Sequence, residues 1–503
     1  MRDLLAVRWL RRLLLSPWFW RVMRLAALGV LLAMIAWGWH RHGIPGVSVK
    51  DPLMYTNLAT HLFWVWWMMG VVFVALLLGR SWCAVCPVGW LNELISRLGL
   101  QRPLPRWLDN FVPVTLTLVA LQLAVYFFAI HRYPDYTAIL MALMLLLAVL
   151  VGLVFRKRAF CSLLCPAGAV LGLYARVAPF QLRVKDAAVC AGCAGKECVS
   201  GGRAWSRIAL GRAILYWHGH RRDCPVELVP TELRHSAECQ LCLHCAQNCP
   251  NDNLLLGRRS WLADLVPGGL SASESFFFLV LMGMMTANFS KVYVDLREAI
   301  FWMPQQAAAL LGWQAGGYFL LATLWVTLVL PVLLLLPGLL VLKLGGIRIA
   351  DGGPEPPSPA NVQRLSVPVQ GPGFWASLGM LALPCIPLVL TAHLVLALVK
   401  VNAKAAFLPY VLRDPTGVQS YLAMNVMQLV PQPGLLIPLD ILKWLILLLL
   451  LSGFGVSLLA AKRVAGRLEG VFSIRVYLGA AGLGVGLVGS LYVATVIRWL
   501  FIR

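Results

Sequence analysis

Apolar residues run in blocks of about twenty along most of this chain, broken by short polar stretches rich in Arg, Gly and Pro. A block of that length, coiled as a helix, matches the roughly 30 Å hydrocarbon core of a bilayer. Such blocks occur near 20 to 39, 55 to 79, 111 to 130 and 137 to 155, and, after a long polar gap, near 273 to 290, 317 to 343, 374 to 399, 438 to 460 and 474 to 499. The pattern predicts an all-α polytopic membrane protein of about nine transmembrane helices. The gap predicts one inserted hydrophilic domain, and hence three parts: an N-terminal four-helix block over 1–182, a cysteine-rich domain over 183–260 and a C-terminal five-helix block over 261–503. Inside the last block, "GGIRIADGGPEPPSPANVQRLSVPVQGPG" cannot hold a packed core and reads as a linker over 344–373.

Loop charge orients the helices. Arg2, Arg8, Arg11, Arg12, Arg21 and Arg24 crowd the start, "HRHGIPG" and "HRYPDY" are sparse in charge, and "RKR" at 156 to 158 and "KRVAGR" are basic again. Positive-inside logic places the N-terminus and the inserted domain in the cytoplasm of a multi-pass protein of the bacterial inner membrane, with the C-terminus outside. The opening "MRDLLAVRWLRRLLLSPWFWRVMR" reads as a basic, aromatic interfacial helix before an uncleaved anchor.

Composition agrees with this. Of the 503 residues, 60% are hydrophobic and 13% charged, which excludes an ordinary soluble domain. The formal charge of +22 is accounted for by loops beside anionic lipid, so membrane lipid is the expected partner and nucleic acid is not.

Cysteine placement brings in chemistry. Eight of the 13 cysteines lie between 190 and 249 in spacings that favour metal or cluster ligation over disulfides. Cys239, Cys242, Cys245 and Cys249 form C-x2-C-x2-C-x3-C-P, the bacterial ferredoxin run, in which the Cys before Pro ligates the other of two [4Fe-4S] clusters. A second run must therefore exist, and Cys190, Cys193, Cys198 and Cys224, the last followed by Pro225, supply it in widened form. Crossing assigns Cys190, Cys193, Cys198 and Cys249 to one cluster and Cys239, Cys242, Cys245 and Cys224 to the other. Structural zinc is the competing ligand, but zinc ribbons pair two CxxC knuckles and have no use for a crossing Cys-Pro. The expected domain is thus a two-[4Fe-4S] ferredoxin-like insertion. Its stretch "GGRAWSRIALGRAILYWHGHRR" carries Arg203, Arg207, Arg212, Arg221 and Arg222, a basic face for an acidic soluble carrier such as a ferredoxin or flavodoxin, or equally for anionic lipid.

Two further motifs sit beside the membrane. "GRSWCAVCPVGWLNEL" at 79 to 94 and "KRAFCSLLCPAGAVLGL" at 157 to 173 each run basic, aromatic, Cys, spacer, Cys-Pro, Gly, apolar helix, and each follows a pair of membrane helices. If the two repeats pack side by side, Cys83, Cys86, Cys161 and Cys165 converge at the cytoplasmic membrane face. A third cluster, another metal, a redox-active thiol set and a purely structural helix start remain the alternatives there.

Four helices with two Cys-Pro motifs followed by ferredoxin runs resemble the NapH/NosR-type membrane iron–sulfur proteins, quinol dehydrogenases of periplasmic nitrate and nitrous oxide reduction. The likeness covers about 20 to 255, with "FCSLLCPAGA" its most specific stretch. It implies a cytoplasmic dicluster domain exchanging electrons with the quinone pool or with a periplasmic or membrane redox partner. The first motif departs from it, being C-x2-C-P where the family usually has C-x3-C-P, and no threonine motif for a covalent flavin is present.

His61, His131 and His393 fall in the outer half of the expected topology, where a quinol site is a reading and a haem b is not expected. Lys291, Lys400 and Lys404 read as snorkelling helix ends, Cys385 as core, and Trp64, Trp66 and Trp67 as packing. The function read from sequence is a membrane-bound iron–sulfur electron-transfer protein, working between a cytoplasmic donor or the quinone pool and a membrane or periplasmic acceptor. The alternative is a membrane copper reductase or metallocentre-assembly factor acting through the Cys-Pro thiols.

Overall fold

The computed structural model describes residues 2–501 apart from 202, 211–212, 221–222, 234, 267–268, 292, 314, 346–373 and 468–472, with backbone alone at 2, 200, 203–210, 213–220 and 315. The expected linker therefore lies outside the described residues from 346 onward, as do Arg212, Arg221 and Arg222.

Among the described residues, eight helices are long and apolar enough to cross a membrane: Pro17–Gly38, Leu58–Val85, Pro134–Val154, Ala272–Ser290, Gly316–Leu344, Phe374–Arg413, Leu439–Gly466 and Ile474–Leu500. The ninth expected span, 111 to 130, forms only the 16-residue helix Val112–Phe127. At 1.5 Å per residue it reaches about 24 Å, short of the hydrocarbon core. Its limits are local: the Asn110 side chain accepts the Val112 N–H at 2.8 Å, and Ala129, at φ 48°, has left the helix. The run Leu58–Val85 is not uniform, since Leu62–Trp67, "LFWVWW", widens into a π-turn that spaces out its bulky side chains.

The described chain divides into two compact units. The first comprises Met1–Asp109, Thr117–Asp264 and Phe407–Gln432. Its membrane core is built by Leu31, Met34, Phe63, Trp64, Met141 and Phe160. The short helix Pro87–Ser96 is unusual in burying its polar face: Gly89, Asn92, Glu93 and Ser96 are inward, while Leu94 is exposed. That face meets Pro134–Val154, where Asn92 donates to the Ala148 carbonyl at 2.8 Å.

The cysteine-rich part folds on five strands, β1 (Arg2–Asp3), β2 (Phe180–Val184), β3 (Arg203–Leu210), β4 (Ala213–His220) and β5 (Leu254–Arg258). One antiparallel sheet has the order β1-β5-β2, with Phe180 opposite Arg258 and Val184 opposite Leu254. The chain before the first membrane helix is thereby a strand of the cysteine module, and the Asp3 carboxylate fixes it by accepting the Leu5 and Leu256 N–H groups at 2.9 and 3.2 Å. The insertion expected as a basic face is a hairpin, β3 against β4, with Arg203 opposite His220 and Leu210 opposite Ala213. A shared core of Trp20, Ala84, Leu182, Leu243, Leu254 and Leu256 seats the module directly on the membrane helices.

The second unit comprises Asn110–Leu116, Leu265–Ala406 and Pro433–Arg503. Ala272–Ser290 is largely enclosed, with Phe277, Phe278 and Met282 fully buried. Polar groups in this lipid-facing unit bond in pairs, as an apolar solvent demands. Thr286 pairs with the Tyr492 hydroxyl at 3.0 Å, Tyr477 donates to the Met380 carbonyl at 3.0 Å, and Ser457 accepts the Leu388 N–H at 2.9 Å.

Candidate metal centres

In the ferredoxin run, Leu241 (φ 51°) and Leu243 (φ 59°) both take the left-handed conformation. Such backbone is costly for branched residues and is held only where the surroundings enforce it. Here it curls the chain so that Cys239, Cys242 and Cys245 all turn into one buried cradle. Cys224 joins them, interacting with all three. Cys198 instead lies with Cys190, Cys193 and Cys249, and these four line a common cavity.

Donors converge on the sulfurs. Leu228 N–H points at Cys224 Sγ (3.3 Å), Asn253 N–H at Cys249 Sγ (3.3 Å) and the Asn253 side-chain amide at Cys190 Sγ (3.1 Å). Hydrogen bonds to sulfur are among the levers that set a cluster's potential. Burial, with the neighbouring thiols Cys242 and Cys224, pushes the Cys239 thiol up to about 12. Burial also raises Cys242, but the His244 ring more than offsets it and leaves that thiol below the usual range. Ligation requires thiolates, so a bound metal supplies the charge that ionises the others.

At the membrane motifs, each Cys before Pro caps a ten-residue helix: Cys86 begins Pro87–Ser96, and Cys165 begins Pro166–Ala175. Cys165 Sγ accepts the Gly168 N–H at 3.4 Å, which aims the N-terminus of Pro166–Ala175 at that thiol. The motif glycines explain the close fit. A Cβ on Gly89 would stand 3.0 Å from Cys161 Sγ, and one on Gly168 would stand 3.2 Å from Arg80 Nη2 and 3.6 Å from Cys165 Sγ. Cys161 interacts with Cys165, Cys86 and Cys83, so all four thiols form one group. Burial first, then Cys86, pushes Cys165 up to about 12.

Sequence reasoning missed the residues that join this group to the module. Arg158 is fully buried and donates through Nη1 to the Cys83 carbonyl and to Gln240 Oε1, both at 2.6 Å. Its Nε and Nη2 hold Glu93 Oε2 at 3.0 and 2.8 Å. Burial would raise the Glu93 carboxyl, but Arg158, then His244 and Arg24, hold it down at about 2. Arg80 donates to the Ala237 carbonyl at 3.1 Å and lies beside the Cys83 thiol. Arg24 donates to the Ala84 carbonyl at 2.9 Å and meets His244 Nε2 at 3.3 Å, while His244 Nδ1 faces the Asp223 carbonyl at 3.2 Å. Arg259 bonds the Ala175, Arg176 and Ala178 carbonyls at 2.8, 3.2 and 2.9 Å, closing the C-terminal end of Pro166–Ala175. The signal available in sequence was the repeat itself, since Arg80 and Arg158 both stand three residues before the first Cys of their motif.

Other flagged residues lie apart from the thiols. His61 is buried 22 residues before Cys83, roughly 33 Å along the same helical run, and accepts from Trp66 Nε1 at 3.1 Å. His131 packs edge-on against Trp64 at 6.2 Å. Trp67 stacks on Phe63 at 4.8 Å and meets Trp82 at 6.3 Å. In the second unit, Cys385 is buried and directs its thiol at the Leu381 carbonyl (3.5 Å). His393, Lys400 and Lys404 lie on the same helix, Ile386–Lys404, and Lys291 follows Ala272–Ser290. Among the described residues, no three His, Cys, Asp or Glu side chains are drawn together tightly enough for a single metal ion.

Comparison with known proteins falls on the same residues. A family model described as a 4Fe-4S binding domain matches residues 60–105 and 137–185, which hold both Cys-Pro motifs. The Escherichia coli (strain K12) protein named "Putative electron transport protein YccM" is 26% identical over 278 residues, 45% of this chain and 70% of that one. Two uncharacterized proteins of Methanocaldococcus jannaschii are 26% and 27% identical, over 37% and 35% of this chain and 74% and 64% of theirs. No solved structure shows a significant match. The chain is thus similar to a 4Fe-4S binding domain over its two Cys-Pro repeats and to an electron-transport relative, and it carries eight helices long and apolar enough to cross a membrane among its described residues.

Proposed function

We propose that the chain is a NapH/NosR-type membrane electron carrier with three thiolate centres: Cys190, Cys193, Cys198 and Cys249; Cys239, Cys242, Cys245 and Cys224; and Cys83, Cys86, Cys161 and Cys165 at the membrane. It passes electrons between a cytoplasmic donor, such as an acidic ferredoxin or flavodoxin, or the quinone pool, and a membrane or periplasmic acceptor. When bound, [4Fe-4S] clusters supply one-electron chemistry over a wide span of potentials. The residues of the chain hold the thiols in three sets, exclude water from the buried ones and donate hydrogen bonds to their sulfurs.

One observation carries the reading. Arg158 bonds the Cys83 carbonyl on one side and Gln240, between Cys239 and Cys242, on the other, so the membrane thiols and a ferredoxin set share one buried side chain. Two centres built to work separately need no such joint. The module then faces the cytoplasm with β1, as the basic loops require, and the far ends of the membrane helices, near His61 and His131, are the natural place for a quinone.

The test is reduction of the anaerobically purified full chain by a short-chain quinol and, separately, by dithionite, read from its iron–sulfur absorption. Both reductants should bleach the native protein, and a C161S/C165S variant should keep the dithionite response and lose the quinol response. A colourless protein, or one bleached equally by quinol in native and variant forms, overturns the proposal. Copper held by the native protein and lost from that variant would move the assignment to metal reduction.

A further inference from the structure

The two Cys-Pro repeats exchange their arginines. Arg80 belongs to the first motif, yet its guanidinium lies against the second: Nη2 is 3.2 Å and Nη1 3.8 Å from where Cβ atoms on Gly168 and Gly172 would stand. Arg158 belongs to the second motif, yet it bonds the Cys83 carbonyl of the first and lies 3.7 Å from the corresponding point on Gly89. Each arginine then reaches on to the ferredoxin segment, Arg80 to the Ala237 carbonyl just before its first Cys at 3.1 Å and Arg158 to Gln240 within it at 2.6 Å.

Burying a guanidinium is expensive unless an opposite charge or full hydrogen bonding offsets it. Arg158 has Glu93 as a counter-charge. Among the described residues Arg80 makes no ion pair: it is 9% exposed, bonds the Ala237 carbonyl and lies beside the thiols Cys83, Cys161 and Cys165. A four-thiolate centre is an anion, and an anion at Cys83, Cys86, Cys161 and Cys165 is the charge that this arrangement lacks. Resting on the three-centre reading above, we infer that Arg80 and Arg158 are the paired counter-ions of the membrane thiolate centre and set its reduction potential. Arg158 also acts on the adjacent Cys239, Cys242, Cys245 and Cys224 set, so its charge ties the two potentials together. These are positioning residues, acting on the centre through charge and not as its ligands. A positive charge favours the reduced, more negative state, and Glu93 opposes it from the far side of Arg158.

The experiment is an anaerobic redox titration of the full chain, followed by electron paramagnetic resonance, with iron and sulfide counted on every sample. R80M and R158M should retain native iron content and lower the potential of the membrane centre by about tenfold in its reduction equilibrium, equal to about 59 mV for one electron. R158M should lower the Cys239-containing centre as well, whereas R80M should move it less. R80K and R158K should recover most of the shift. Glu93→Gln, an isosteric change that removes the opposing charge, should raise the membrane potential by a similar factor, and it keeps the inference testable if the methionine variants do not fold. Unchanged potentials in iron-replete R80M and R158M, or an unchanged or lowered potential in E93Q, overturn the inference. A native protein with no signal from the membrane centre instead overturns the three-centre reading beneath it.

Discussion

Arg158 and Glu93 form a buried ion pair at 2.8 Å, with side-chain exposures of 0% and 6%. Each comes from a Cys-Pro repeat, Glu93 from the helix after the first and Arg158 from the lead-in to the second. Their contact therefore fixes how the two repeats meet and where the four membrane thiols stand.

Breaking that pair from one side leaves an uncompensated charge in the interior. Glu93→Leu should destabilise the protein by about 3–5 kcal/mol, read as loss of melting temperature in detergent. Glu93→Gln, which keeps hydrogen-bonding capacity, should cost less.

The pair also has a pH signature. The Glu93 carboxyl is held down at about 2, because Arg158 and then His244 and Arg24 outweigh the upward push of burial. Its folded value is lower than its unfolded one, so the stabilisation is complete above the ordinary carboxylate range and is lost as pH falls toward 2. The stability difference between native protein and E93Q should be constant from about pH 6 to 8 and shrink below about 4.5. A difference that grows with acid would contradict this.

Gly89 of the first motif and Gly152 of Pro134–Val154 should tolerate no side chain. A Cβ on Gly89 meets Cys161 Sγ at 3.0 Å, and one on Gly152 meets the Asn92 carbonyl at 2.9 Å. Gly89→Ala should cost about 1–3 kcal/mol by overpacking and should lower the iron content, because the atom displaced is a thiol sulfur. Gly152→Ala should cost a similar amount and leave iron closer to native, since it strikes backbone away from the thiols.

Gly417 anchors the segment Phe407–Gln432 within the first unit. It has φ 77°, and a Cβ there would stand 2.5 Å from the Thr56 carbonyl carbon and 2.6 Å from Asn57 N. The join is completed by Leu58 N–H to the Pro415 carbonyl (3.0 Å) and Asn57 Nδ2 to the Thr416 carbonyl (3.0 Å). Gly417→Ala should destabilise by at least about 1–3 kcal/mol, measured by thermal unfolding. Cysteine chemistry should be unaffected, because the thiols lie at the other end of the Leu58–Val85 run.

Much of this architecture can be read from periodicity. Expected spans such as 137 to 155, 273 to 290 and 474 to 499 lie within three residues of Pro134–Val154, Ala272–Ser290 and Ile474–Leu500, because lipid imposes one length and one polarity on every spanning helix. The convergence of Cys83 with Cys161 was also legible, since a repeat of two helices and a motif brings equivalent points to one face. What stayed hidden depends on long-range pairing. Arg24, Arg80 and Arg158 read as loop charges that orient helices, and nothing local distinguishes an arginine in headgroups from one bonded to Ala84, Ala237 or Gln240. The two-residue strand Arg2–Asp3 has no period to detect and exists only through β5. Val112–Phe127 looked long enough because its flanking aromatic residues continue the apolar run after the helix has ended.

The most direct measurement is the iron and acid-labile sulfide content of the anaerobically purified full chain beside that of C161S/C165S. Three centres predict about twelve irons per native chain, falling to about eight in the variant. About eight in both would remove the membrane centre, and zinc or no metal at Cys239, Cys242 and Cys245 would contradict the electron-transfer assignment outright.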